Sequence, residues 1–182
     1  MFKFELNETQ RNLLQRNIIE ITDENIGGET FYYVREALLQ LTARGSPDIQ
    51  IFISCRGGMV DPGLDAYDML RYYEGKKTGV VVGFAMSMAA IILQACDTRK
   101  AYQHAGILIH HIAQGSVSLD VLRSPKKTAE LRNSLERSQQ KQYKILSGKT
   151  GKTVEEISKA CERDVAMSAE EAKEFGLIDE II

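Results

Sequence analysis

The chain has 182 residues, with 23 basic and 25 acidic side chains and a formal net charge of -2. That length suits one domain with a substantial core, and the dispersed charge leaves no electrostatic footprint for nucleic acid or an anionic membrane. The opening segment MFKFELNETQRNLLQRN lacks an apolar targeting core and no later apolar run is long enough to cross a bilayer, so a soluble, cytoplasmic protein with no nucleic-acid or membrane partner is expected.

In chain order, Asn17 to Ile21 (NIIEI) reads as a short apolar strand. After Gly27-Gly28, the segment Glu29 to Thr42 spaces Phe31, Val34, Leu38 and Leu41 as a helix does. Gly45-Ser46-Pro47 punctuates the chain before Ile49 to Ser54 (IQIFIS), whose nearly continuous apolar, β-branched character suits an interior strand. Gly57-Gly58 ends it, and Asp61-Pro62 offers an N-cap and first helical proline for a helix carrying Leu64, Tyr67, Met69 and Leu70. Thr78 to Phe84 (TGVVVGF) is a third strand, Met88 to Ala95 a short apolar helix and Gly106 to His110 a further strand. This alternation predicts an α/β fold with a largely parallel central sheet.

From Leu119 to about Leu146 the chain turns polar and helical, with an interruption near Ser124-Pro125. Such a helix must find a surface to lie on. Thr153-x-x-Glu156 and Ser168-x-x-Glu171 have the capping-box form, opening two short helices, and Gly176 is the stop of the second. Cys55, Cys96 and Cys161 are odd in number and lack metal-ligand spacing, which predicts reduced thiols and no zinc site.

Ser87 falls where the Val80, Val81, Val82 run ends and an apolar helix begins, the position at which an α/β sheet presents a side chain to a crevice. A helix N-terminus there would also favour developing negative charge. Locally, two readings stand side by side: a nucleophile, or a serine that caps the helix. The segment is not G-x-S-x-G, so an α/β-hydrolase elbow is disfavoured. Gly57-Gly58 would let the backbone aim an N–H at an oxyanion, or simply turn strand into helix. The histidines are His104, His110 and His111, and adjacent strand residues face opposite ways, so only one of the last two can point at a given serine. Asp164, in Glu162-Arg163-Asp164, could accept from a histidine or pair with Arg163 at the surface.

Taken together, Ile53-Ser54-Cys55-Arg56-Gly57-Gly58, Gly83-Phe84-Ala85-Met86-Ser87-Met88, Ile107-Leu108-Ile109-His110, Glu162-Arg163-Asp164, Met167-Ser168-Ala169-Glu170-Glu171-Ala172 and Phe175-Gly176-Leu177-Ile178-Asp179 resemble the ordered motifs of the ClpP proteolytic subunit family. The likeness runs from about Leu13 to Ile182. It implies a single ClpP/crotonase-like domain of stacked β-β-α repeats, with a projecting handle at about residues 114–146. It implies a serine endopeptidase with Ser87 as nucleophile, His110 as base and Asp164 as the acid that orients it. The oxyanion donors fall on the backbone N–H groups of Gly58 and Met88. Met59 and Val60 lie where the family pairs an extended substrate.

The resemblance further implies no cofactor, with ATP entering only through an AAA+ unfoldase partner. It implies self-association into stacked rings around a chamber, to which Leu119 to Leu146 contributes, and peptides or unfolded proteins as substrates. The likeness departs from the family pattern in the lengths of the Ser87–His110 linker, of the segment after His110 and of the segment before Leu13, and at two places near the site. Arg56 replaces the proline usual before the glycine pair, placing a cation by the oxyanion hole and favouring acidic or carboxylate-bearing substrates, and His111-Ile112 replaces glutamine and proline after the base. The alternatives are a non-catalytic ClpP-like ring subunit and a crotonase-fold enzyme acting on acyl-CoA.

Overall fold

The computed structural model describes residues 4–22, 25–163 and 165–182. Its elements in order are α1 (Glu8–Gln15), β1 (Ile18–Ile21), α2 (Gly28–Ala43), β2 (Ile49–Cys55), α3 (Val60–Tyr72), β3 (Lys77–Met86) and α4 (Met88–Leu93), then β4 (Thr98–Ala101), β5 (Gly106–Leu108), α5 (Leu119–Arg123), α6 (Pro125–Thr150), α7 (Val154–Cys161), α8 (Ala169–Phe175) and β6 (Glu180–Ile181). All strand pairings within the sheet are parallel. Parallel strands need both faces covered. Accordingly Ile19, Ile51, Ile53 and Val81 of the sheet are fully buried, as are Leu41, Leu70 and Ile92 of helices α2, α3 and α4. Each such side chain contributes roughly 1.5–3 kcal/mol by leaving water.

The strand order is β1-β2-β3-β4-β6, with β5 joined to β3 off that path. The long strand β3 therefore forks. Its first half, Thr78 to Val81, pairs with β4, whereas Phe84 to Met86 pairs with β5. On its other side β3 keeps β2, with a register shift between Ile53 and Cys55. Three parallel strands, β2, β3 and β5, thus end side by side at their carboxyl termini.

The outer edge of β4 is closed by β6 and by a polar cluster. Arg99, almost wholly buried, gives its guanidinium to both oxygens of Asp179, to Gln94 Oε1 and to the carbonyl of Gly176. The buried Lys77 ammonium bonds the carbonyls of Tyr73 and Gly75 and pairs with Asp97 at 3.0 Å. Both cations satisfy the rule that a buried charge must be paired and hydrogen-bonded.

Several expectations need correction. The α3 helix begins at Val60 with the extended Met59 as N-cap, so Asp61 is a first-turn acid and Pro62 follows it. The strand expected to reach His110 ends at Leu108, beyond which no parallel strand pairing continues among the described residues. The strand β4, TRKA, sets two adjacent charged residues between two small ones and lacks an apolar run, so nothing in its pattern marked it. Ser124 caps α6 with Pro125 at its first turn, matching the expected interruption, and the helix runs on to Thr150. Its buried residues are Gln142, Tyr143 and Leu146, all near its end. Leu119 and Leu122 of α5 stay exposed. The capping boxes at Thr153/Glu156 and Ser168/Glu171 form as the spacing predicts, and Gly176 closes α8 in the left-handed conformation. All three cysteines are buried and none forms a disulfide; burial pushes the Cys96 thiol up to about 12 and the Cys161 thiol up to about 11. Among the described residues no helix is long and apolar enough to cross a membrane.

Candidate active site

Ser87 sits one residue beyond β3, at the N-cap position of α4, with φ 54° and ψ -123°. A non-glycine residue at such a φ carries about 1–3 kcal/mol of strain that the surroundings must sustain. Its side chain makes no capping hydrogen bond, so the helix-cap alternative is set aside. Its backbone N–H instead donates to the carbonyl of Leu108 at 2.8 Å, extending the β3–β5 pairing by one rung and tying the turn to the strand that leads to His110.

Gly57 packs against this turn. It has φ 99°, and a Cβ there would lie 2.6 Å from both the Met86 carbonyl oxygen and Ser87 Cβ. Only glycine lets the two strand ends approach so closely. Gly58 bridges Ile26: the N–H of Ile26 donates to the Gly57 carbonyl and the N–H of Met59 to the Ile26 carbonyl. In this parallel bridge the N–H of Gly58 points away from Ile26, and among the described residues it has no acceptor. Met88, first residue of α4, also has an N–H without an acceptor among the described residues, as helix starts leave theirs.

Ser87, Arg56, Gly58, Val60, His110, Ile112, Ala113 and Gln142 line a cavity of about 190 Å³. No hydrogen bond joins Ser87 to His110; they share the cavity. His111 does not line it. Its Nδ1 lies 2.8 Å from the hydroxyl of buried Tyr143, which also donates to Ser158 Oγ. The neighbouring histidines thus separate as adjacent residues do, one to the cavity and one to α6. His104 is exposed and lies outside this cavity.

Gly58, Val60, Ile112 and Ala113 also line a larger groove of about 630 Å³ that runs past Met59 to Leu131 and Leu135 of α6. Met59 is exposed, its N–H used by Ile26 and its carbonyl by Gly63, whereas the N–H of Val60 has no acceptor among the described residues. Two residues escaped the sequence reading. Gln142 contributes to the cavity wall and donates to Met88 Sδ at 3.5 Å, and Gln139 accepts the N–H of Ile112 at 2.6 Å, pinning the segment after His110 to α6. The only sequence signal for them is their place beside Tyr143 and Leu146 on one helix face.

The Arg56 guanidinium lies 4.9 Å from the centre of the Phe84 ring. Arg163 reaches Glu171 at 3.8 Å across an exposed surface. Asp164 lies outside the described residues. Three positions further along the chain, Met167 exchanges both backbone hydrogen bonds with Ile107 in an antiparallel bridge.

A parallel α/β sheet with a serine held in a strained strand-to-helix turn, glycines packed against it and a histidine in the same cavity defines a chain of the ClpP type. A family model described as Clp protease matches residues 3–182, and the chain belongs to that family.

Proposed function

We propose that this chain is a serine endopeptidase in which Ser87 is the nucleophile, His110 the general base and Asp164 the acid that orients it. The observation that carries the reading is the strained, non-capping Ser87 in one cavity with His110, with the amide N–H groups of Gly58 and Met88 lacking an acceptor among the described residues. His110 takes the Ser87 proton as the hydroxyl attacks the peptide carbonyl, then gives it to the leaving amine; water releases the acyl group by the same route. The N–H groups of Gly58 and Met88 receive the oxyanion, a contribution of several kcal/mol where such donors are fixed in advance. No cofactor enters the reaction. For Asp164 the support is its place in the chain: it precedes Met167 by three residues, and His110 follows Met167's bridge partner Ile107 by three.

An extended peptide lies in the groove and pairs with the Val60 N–H, while Met59 offers its side chain to the groove wall. The exposed α5 and early α6 form a handle that stacks rings of subunits, burying Leu119 and Leu122, and the peptidase works on peptides or unfolded proteins inside the chamber, alone or fed by an AAA+ unfoldase. A fluorophosphonate probe should label the wild type and not Ser87→Ala, and native mass measurement should find rings. Absence of labelling in an assembled sample would leave a structural ring subunit. A monomer at micromolar concentration would refute the stacking.

A further inference from the structure

We infer that Arg56 makes this site selective for substrates with a carboxylate side chain on the residue that supplies the scissile carbonyl; the inference rests on the peptidase reading above. The cavity beside Ser87 is about 190 Å³, well under the roughly 300–1,000 Å³ of a site for a drug-sized ligand, and suits a single side chain. Among the described residues, Arg56 is the one permanently charged residue in its lining and no carboxylate lines it. Asp61 lines the adjoining groove and not this cavity.

Arg56 is exposed, and among the described residues it has no ion pair and no hydrogen bond. Its guanidinium rests 4.9 Å from the Phe84 ring centre, a contact that holds the side chain by its face and leaves its N–H edges unused. Those edges form a fork suited to a carboxylate. Arginines in this chain that serve the fold are otherwise engaged: Arg99 is buried on Asp179, and Arg44 bonds the carbonyl of Leu14 and the side chain of Asn17. Arg56 contributes to no such network. An unpaired cation beside a nucleophile's cavity attracts a carboxylate and leaves a neutral amide of the same shape less favoured.

The test uses the full assembled chain and two blocked fluorogenic peptides that differ only in Glu or Gln before the scissile bond. At low salt the wild type should cleave the Glu peptide with about tenfold higher kcat/KM, and the ratio should shrink at 0.5 M salt as an exposed charge is screened. Arg56→Gln should bring the ratio to about one, and Arg56→Lys should keep part of it. A wild-type ratio of one or less, or a preference that survives in Arg56→Gln, overturns the assignment while fluorophosphonate labelling of Ser87 still upholds the peptidase. Failure of both peptides together with failure of labelling overturns the peptidase reading, and the selectivity falls with it.

Discussion

Replacing Ser87 by glycine should make the protein more stable than replacing it by alanine. At φ 54° either serine or alanine strains the turn by about 1–3 kcal/mol, a strain that glycine does not carry. Glycine adds roughly 0.5–1 kcal/mol of backbone entropy to the unfolded chain, so the net advantage of Ser87→Gly over Ser87→Ala is about 0.5–2 kcal/mol. In a chain of this size that is roughly 1–8 °C in Tm. Because the serine side chain caps nothing, Ser87→Ala should not suffer the ~1 kcal/mol loss of a true N-cap. Thermal unfolding at one fixed protomer concentration measures all three proteins, the fixed concentration removing mass-action shifts from assembly. Both variants should lose probe labelling. A Ser87→Gly protein no more stable than Ser87→Ala, or a Ser87→Ala protein about 1 kcal/mol below wild type, would refute the view that the turn is held for reaction at the expense of stability.

Gly57→Ala should destabilise by about 2–4 kcal/mol and slow labelling, since its Cβ collides with the Ser87 turn; Gly148→Ala, with open space around it inside α6, should gain about 0.5–1 kcal/mol. Chemical denaturation of the pair settles the comparison, and equal effects would contradict it. His110→Ala should abolish acylation of Ser87, while His111→Ala should lose about 1 kcal/mol with its Tyr143 hydrogen bond and still label; the reverse pattern in a labelling assay would exchange their roles. Burial pushes the Asp179 carboxyl up, but hydrogen bonds from the Arg99 side chain and backbone hold it below the usual 3.8. A lowered folded pKa stabilises fully above the unfolded value and is lost as pH falls through the folded one. Asp179→Asn should therefore cost about 1–2 kcal/mol at pH 7, discounted from a buried pair because the carboxylate is 39% exposed, and the gap should close as pH drops below 3.8. Urea titrations across that range would show a constant gap if the reasoning fails.

The sheet was legible because its interior strands are written in isoleucine and valine: Ile51, Ile53 and Val81 are buried where the apolar runs predict. The later helices were legible from their caps, whose bonds are local. The short TRKA strand was not, because its Arg99 is buried by a carboxylate about 80 positions away rather than by its own pattern. At the site, spacing alone left Ser87 divided between cap and nucleophile, and the motif resemblance decided. Its positive φ could not be read from serine, whose side chain resists that conformation; the packing of Gly57 imposes it. Gln139 and Gln142 looked like solvent-facing residues of a polar helix, and the return of residues 110–113 across α6, with Met88 Sδ beside Gln142, gives them work.

The closure of β4 by residues 179–181 also sets an order of events during synthesis. At roughly 5–20 residues per second a ribosome needs about 4–16 s to make the 80 positions between Arg99 and Asp179. Through that interval the β4 edge is unpaired and Ile107 awaits Met167, so the scaffold behind Ser87 and His110 is unfinished. On the proposed reading a nascent chain would lack hydrolytic competence until those last residues emerge, and its open strand edge is an unpaired template that must stay clear of other chains until β6 covers it.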